Sequence, residues 1–464
     1  MNQTQPLRVK SGLPWWLWIM LAFATIAIGA GVIFSSVPDD PKQLFQQAQK
    51  EFEASEQENF LVTLAKLEKF PAYEAHTKLL KGMHASRQSR DPKAIELYEE
   101  ALQNAEIKPL VLQQLGDVKS RLGDFRGAIS DYEEAIELAP ETADRSRILL
   151  AKLYYAVGTL KLAEDTLNVV VQNESANREA RTMLGRLKVD QRRFEEAMED
   201  YSALLKSPGD FAAASPALLE GYARCALETG NKEVMTTISK EYVPLIEDMI
   251  LKTQIQIALG DIEAIESALM EGVQNPDATL PTKISAAMIE VASGKNDKAQ
   301  QLLTECIQMA PRDLRVMEAA AKLYAATGDT KRQAIAQQNV EQIKDLQAQR
   351  LEKLKSIGNS VDDPQSRFEM GLLSVQLAEF NEVQRWFGVV LAMDPTMASK
   401  CSEAVEKSYS MFGMLVPFGG EDDSQPVKTE EPKTEDPKTE DPKSEDPKSE
   451  DPKSEEPKSE EPKS

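Results

Sequence analysis

The stretch PLVLQQLGDVKSRLGDFRGAISDYEEAIELAP, residues 109–140, decides the fold. It reads as two helices joined by a turn. The first carries Leu115-Gly116, the turn is Gly123-Asp124-Phe125, and the second carries Ala128, Tyr132 and Ala135 before Pro140. A small residue lets the two helices approach closely, and an aromatic fills the space between neighbouring hairpins. Glycine at the turn tolerates positive φ, and the closing proline stops the second helix.

Moving outward by about one period of 34 residues finds the same positions again. Downstream stand Leu150-Ala151, Tyr154, Gly158, Leu160, Ala163 and Leu167, then Leu184-Gly185, Phe194, Ala197, Tyr201, Leu204 and Pro208. Upstream stand Gly82, Ala94, Tyr98 and Ala101. After a degenerate stretch with Ala223 and Gly230, the phase returns at Gly260-Asp261 and Leu269, at Ala287, Gly294, Ala299, Leu303 and Pro311, and at Ala321, Tyr324 and Gly328-Asp329. A last copy has Gly371, Phe380, Phe387 and Pro395.

This pattern closely resembles the tetratricopeptide repeat family, although Lys119 stands where an aromatic is usual. The resemblance covers roughly Pro41 to Ala398 and implies an all-α fold, a right-handed superhelical solenoid of helix-turn-helix repeats. Each repeat of such an array touches only its neighbours, so stability should be nearly additive, with a soft joint at the poorly matched unit Ala217–Leu245. The repeating Ala, Gly, Tyr and Phe positions are read as packing.

The resemblance also implies that first helices line a groove for partners. Its side chains would be Gln113 and Asp117, then Arg145, Lys152 and Tyr155, then Thr182 and Arg186. The candidate partner-binding residues are Arg145, Lys152, Tyr155 and Arg186, whose cations could receive carboxylates of an extended or C-terminal peptide. The same residues also fit ordinary solvated helix positions. The family's clamp for acidic chaperone C-termini needs a Lys/Asn set, and Gln113 and Asp117 occupy its first two positions, which argues against that mode.

Bulk composition agrees with a helical body. The chain has 464 residues, of which 41% are hydrophobic, only 6% aromatic and 22 are Gly, which suits helices better than sheets. A formal charge of −22 argues against nucleic-acid binding, which needs a basic face. Cys225, Cys306 and Cys401 are far apart and lack metal-ligand or disulfide spacing. They read as small buried residues.

Ahead of the repeats, no charged residue occurs from Ser11 to Val37, and Trp15 to Phe34 is apolar apart from Thr25. That is about the 20 residues a helix needs to cross a bilayer. Trp15, Trp16 and Trp18 suit the headgroup level, and Pro38, Asp39, Asp40 and Pro41 end the run. An uncleaved anchor is favoured over a signal peptide, whose apolar region is usually shorter and ends at a cleavage site; the secreted alternative stays open. Arg8 and Lys10 before the span predict a cytoplasmic N-terminus and an extracytoplasmic repeat domain.

The predicted order is a short N-terminal segment (1–12), a transmembrane helix (13–37), a repeat array (38–330), a long connecting helix (331–358), a final repeat with cap (359–418) and an acidic tail (419–464). The connecting helix is read from the absence of Gly and Pro between Lys331 and Ile357, with Gly358 as its stop. Met411 to Phe418 is read as a cap over the open end, or a docking peptide. From Glu421 to Ser464 a five-residue unit such as Asp436-Pro437-Lys438-Thr439-Glu440 recurs, with 17 acids against 8 lysines. Such a tail is expected to be disordered and solvated.

No phosphate-binding loop, nucleophile elbow or His-Glu-x-x-His pattern is present in the sequence. Its two histidines, His76 and His84, are expected on helix surfaces. No catalytic residue, cofactor, metal or small-molecule substrate is predicted. The expected function is a membrane-anchored scaffold or assembly factor with protein or peptide partners and no nucleic acid; the alternative is an enzyme-associated subunit, or an unrecognised enzyme with its active part after residue 331.

Overall fold

A computed structural model describes residues 40–412. The apolar segment 13–37, the tail 419–464 and most of the run Met411–Phe418 lie outside them. Among the described residues there is no β-strand, and no helix is long and apolar enough to cross a membrane.

The helices pair into hairpins along the chain. They are α1 (Pro41–Glu53) with α2 (Gln57–Leu67), α3 (Glu74–Arg87) with α4 (Asp91–Ala101), α5 (Lys108–Arg121) with α6 (Phe125–Leu138), and α7 (Asp144–Ala156) with α8 (Leu160–Asn173). There follow α9 (Arg178–Asp190) with α10 (Phe194–Ser202), the short α11 (Pro208–Ala212), α12 (Pro216–Glu228) with α13 (Lys232–Thr237), and α14 (Met249–Leu259) with α15 (Glu263–Val273). The series ends with α16 (Leu280–Ala292) and α17 (Asn296–Met309), α18 (Leu314–Thr327) and the long α19 (Thr330–Ile357), then α20 (Pro364–Gln376), α21 (Phe380–Met393) and α22 (Ala398–Phe412). The result is an α solenoid.

Hairpin α5/α6 shows why the repeat residues are what they are. At Gly116 an added Cβ would lie 2.7 Å from the Tyr132 ring, so the aromatic occupies the space a larger residue would fill. Gly82 faces Tyr98, Gly185 faces Tyr201 and Gly371 faces Phe387 in the same way. In α7/α8 the pair is Ala151 and Leu167, both fully buried. A slightly larger residue on the first helix is matched by a smaller one on the second, which keeps the filled volume. The turn is closed by Gly123 at φ +82° and by Asp124, whose side chain caps α6 by accepting the Gly127 N–H at 3.0 Å. Lys119, the departure from the family pattern, reaches the Asp131 carboxylate on α6 at 2.7 Å.

The unit at Ala217–Leu245 is irregular. After α13 the backbone passes through a π turn, Ile238–Tyr242, and a 3-10 turn, Val243–Leu245. Pro244 lacks the N–H that would continue the helix. Phe211 stacks on Tyr242 at 4.8 Å and fills the gap.

Two expectations are corrected. His76 is not on a surface: it is 4% exposed, wedged between the rings of Phe45 and Tyr73, and burial pushes its pKa down. Nor does every repeat touch only its neighbours. Helix α19 has 28 residues and spans about 42 Å at 1.5 Å per residue. It carries the chain back, and α20/α21 packs against the turns of α5/α6 and α7/α8.

That return contact is substantial. Arg367 is fully buried and donates to the carbonyls of Val157 (2.9 Å), Asp363 (3.0 Å) and Ser360 (2.5 Å). Trp386 lies over Gly158, where a Cβ would stand 2.7 Å from its Cη2, and Ala392 faces Gly123. Val389 is buried in the core formed by α6 to α9, with Leu354, Val361 and Met393 packed on it. At the rim Arg126 pairs with Asp362 at 2.5 Å, and Arg192 donates to Gln347 at 3.1 Å.

Candidate partner-binding groove

Three successive first helices, α7, α9 and α12, wall a cavity of about 860 Å³. Lys152 and Tyr155 come from α7, and Arg178, Glu179, Thr182, Met183 and Arg186 from α9. Ala217, Glu220, Gly221 and Arg224 come from α12, while Tyr201 of α10 forms part of the floor. First helices repeat at one period, so residues at matching offsets face the same side. Gly221 keeps that floor low: a Cβ there would meet the Tyr201 ring at 2.5 Å.

Three of the four candidate residues, Lys152, Tyr155 and Arg186, line this cavity, and the fourth stands beside it. Arg145 does not line it but pairs with Glu179 at 3.1 Å, and Lys152 reaches the same carboxylate at 2.5 Å. Burial pushes the Glu179 pKa up, but the hydrogen bonds and charges of Lys152 and Arg145 outweigh it and hold the carboxyl below its ordinary range. The hydroxyl of Tyr155 donates to Asp190 at 2.6 Å, and the Arg186 guanidinium lies 5.1 Å from the Tyr155 ring centroid. Burial raises the Asp190 pKa against the opposing pull of that hydrogen bond and of Arg186 and Arg385.

Gln113 and Asp117 are engaged between helices. Gln113 accepts from the Ser146 hydroxyl at 3.1 Å, and Asp117 accepts from the Tyr132 hydroxyl at 2.6 Å. Sequence reasoning missed Arg178, Glu179 and Arg224. Arg178 and Glu179 open α9, at the offset where Asp144 and Arg145 open α7, so the period could have found them. Arg224 lies in the degenerate unit, where no phase could be followed. It pairs with Asp248 at 3.0 Å, while Glu220 accepts the N–H groups of Glu247 and Asp248 at 2.8 and 2.9 Å.

The wall therefore presents four cationic side chains, Lys152, Arg178, Arg186 and Arg224, against two carboxylates, Glu179 and Glu220, in a chain of net charge −22. Apolar surface from Tyr155, Met183, Val189 and Ala217 lies between them. Such a surface suits an extended segment with carboxylates and an apolar side chain. Burial pushes the thiols of Cys225 and Cys306 up to about 12 and about 11, which leaves them protonated and poorly nucleophilic at neutral pH.

Two segments match the family models described as tetratricopeptide repeat, residues 110–142 and residues 182–234. No curated protein matches the chain. Among solved structures, a tetratricopeptide repeat protein from Parabacteroides merdae is similar at 16% identity and TM-score 0.37, over 54% of this chain and 98% of that one. PilF of Pseudomonas aeruginosa is similar at 14% identity and TM-score 0.40, over 47% and 96%. The apo form of the quorum sensor NprR from B. thuringiensis is similar at 11% identity and TM-score 0.45, over 67% and 99%.

Proposed function

We propose that this tetratricopeptide-repeat protein is an interaction scaffold that holds an acidic, extended segment of a partner protein in the cavity between α7, α9 and α12. The observation that carries this reading is the cation-rich wall, formed by Lys152, Arg178, Arg186 and Arg224 on three consecutive first helices of an otherwise acidic chain. Arginine offers planar, bidentate recognition of carboxylates, and Tyr155 and Met183 offer apolar contact beside it. Glu179 now neutralises Arg145 and Lys152, and a ligand carboxylate competes with it for the same cations.

The scaffold is tethered to a membrane by the apolar segment 13–37, with its N-terminus cytoplasmic and the repeats on the far side, and it gathers partners there as an assembly factor. The support is the uncharged run from Ser11 to Val37 with its tryptophan cluster. The test is crosslinking in intact membranes with identification of what is captured, using wild-type chain and the double variant Lys152→Glu, Arg186→Glu. Discrete partners lost in the double variant support the groove; the same partners captured equally by both would overturn it. A reporter fused after Gly420 and active only in the cytoplasm would reverse the orientation.

A further inference from the structure

The groove and the returning C-terminal hairpin share one residue. Tyr155 stands in the cavity wall, with its hydroxyl on Asp190 and its ring 5.1 Å from the Arg186 guanidinium. The Arg385 guanidinium of α21 lies 5.3 Å from the same ring and donates to the Tyr155 carbonyl at 3.1 Å. Arg385 also lies over the ring of Trp386 at 4.5 Å, the side chain that covers Gly158. Arg186 and Asp190 are one helical turn apart on α9. Any group that takes Arg186 or moves the Tyr155 ring therefore alters the surface on which α21 rests.

The docked contact contains groups that a permanent core would avoid. Arg367 is fully buried and held by main-chain carbonyls, with no carboxylate in hydrogen-bonding contact among the described residues. The indole N–H of Trp386 is buried and has no acceptor among the described residues. Both conditions weaken the net attraction of docking. The hairpin also keeps a core of its own, in which Val375, Phe387, Val390 and Cys401 pack together, so it can leave intact. Gly358 sits at the end of α19 with φ +56° and ψ −123°, a conformation open essentially to glycine and suited to a hinge. A cavity of about 390 Å³ beneath Leu354, Lys355 and Gly358 leaves room for movement.

We propose that the C-terminal hairpin α20/α21 is a latch with docked and released states, and that the groove biases it through Arg186 and Tyr155. The biological trigger rests on the groove being a binding site, as proposed above; the coupling itself belongs to the free protein. Linkage makes it reciprocal: what favours release changes affinity in the groove by the same factor.

The experiment uses the full chain carrying Val389→Cys, which places a thiol in the contact between hairpin and body, and follows its modification by a thiol reagent. Arg385→Ala is expected to speed modification about tenfold, and Arg186→Ala, in the groove, about fivefold or more, the range of ordinary allosteric couplings. Arg224→Ala, which lines the cavity away from Tyr155, is expected to leave the rate within about twofold. Cys306, remote from the latch, reports global unfolding, and Cys401, in the hairpin's own core, reports whether the hairpin itself opens.

Modification of the introduced thiol with Cys401 still protected supports an intact latch. Arg186→Ala reacting no faster than Arg224→Ala would overturn the coupling. Cys401 reacting in step with the introduced thiol would overturn the latch as a unit, as would an introduced thiol that reacts like an exposed one without any further substitution. Arg126→Asp, which turns the rim pair to Asp362 into a like-charge repulsion, is expected to speed modification with no change to the core, and an unchanged rate would count against a docked and released equilibrium. No ligand enters the assay, so its failure leaves the groove reading standing, and failure to capture a partner leaves the latch standing.

Discussion

Replacing Trp386 with alanine tests whether the return contact contributes to stability. The side chain is 1% exposed and packs against Gly158, Ile357 and Met370. A tryptophan removes about 150–250 Å² from water, worth about 4–6 kcal/mol at about 25 cal/mol per Å². The indole N–H has no acceptor among the described residues, so its removal returns about 1–3 kcal/mol of desolvation cost, leaving a net loss of about 1–5 kcal/mol. Repeat arrays lose stability locally. The expected result is therefore an early transition for the C-terminal hairpin in urea unfolding followed by circular dichroism, ahead of the main one. Trp386→Phe keeps most of the apolar area and drops the unpaired donor, and is expected to fall within about 1.5 kcal/mol of wild type. If Trp386→Ala unfolds in one transition within about 0.5 kcal/mol of wild type, the hairpin is not held by this contact.

Glycines separate packing from propensity. Gly185→Ala is expected to destabilise by about 1–3 kcal/mol, because its Cβ would meet the Tyr201 ring at 2.5 Å, whereas Gly388→Ala, with open space around it, is expected to stabilise α21 by about 0.5–1 kcal/mol; urea midpoints of the two variants decide. The Glu179 carboxyl is held below its unfolded value, so its contribution is present above about pH 4.3 and is lost as pH falls through the lower folded value. Glu179→Gln should accordingly cost under about 1 kcal/mol at neutral pH, since its partners are half exposed, and nothing in strong acid, as read from melting temperature against pH. Asp190 has the opposite sign: its pKa is raised by burial, so its stability contribution is full below about pH 3.9 and is lost as pH rises through the folded value. Asp190→Asn, which still accepts from Tyr155, should melt no lower than wild type at pH 7, with any advantage gone by about pH 3.

Much of the solenoid can be read from one repeat, because packing imposes the same demand at every period. Gly116 with Tyr132 and Gly185 with Tyr201 show as small–aromatic pairs of fixed spacing, and Ala151 with Leu167 keeps the volume by exchange. The break at Ala217–Leu245 is visible as lost phase, and Pro244 lies in the 3-10 turn that follows the π turn, where the helical backbone ends. The return of α20/α21 is not visible. It depends on Trp386 meeting Gly158 and on Arg367 meeting the Val157 carbonyl, and neither pairing leaves a periodic trace. The groove is half visible for the same reason. Lys152, Tyr155 and Arg186 follow from the phase of the first helices, but Glu179 as their neutralising partner follows only from side-chain reach. His76 shows the remaining weakness, since a lone polar residue on a helix can be drawn inward by neighbouring rings such as Phe45 and Tyr73.

The most direct measurement places a photo-crosslinking residue at Thr182, on the cavity wall, and separately at Glu137, exposed on the second-helix side, in chains expressed in their native cells. Partner protein captured from position 182 and not from 137 is the expected result. Capture from 137 alone, or equal capture from both positions, would contradict the claim that this chain grips its partners between its first helices.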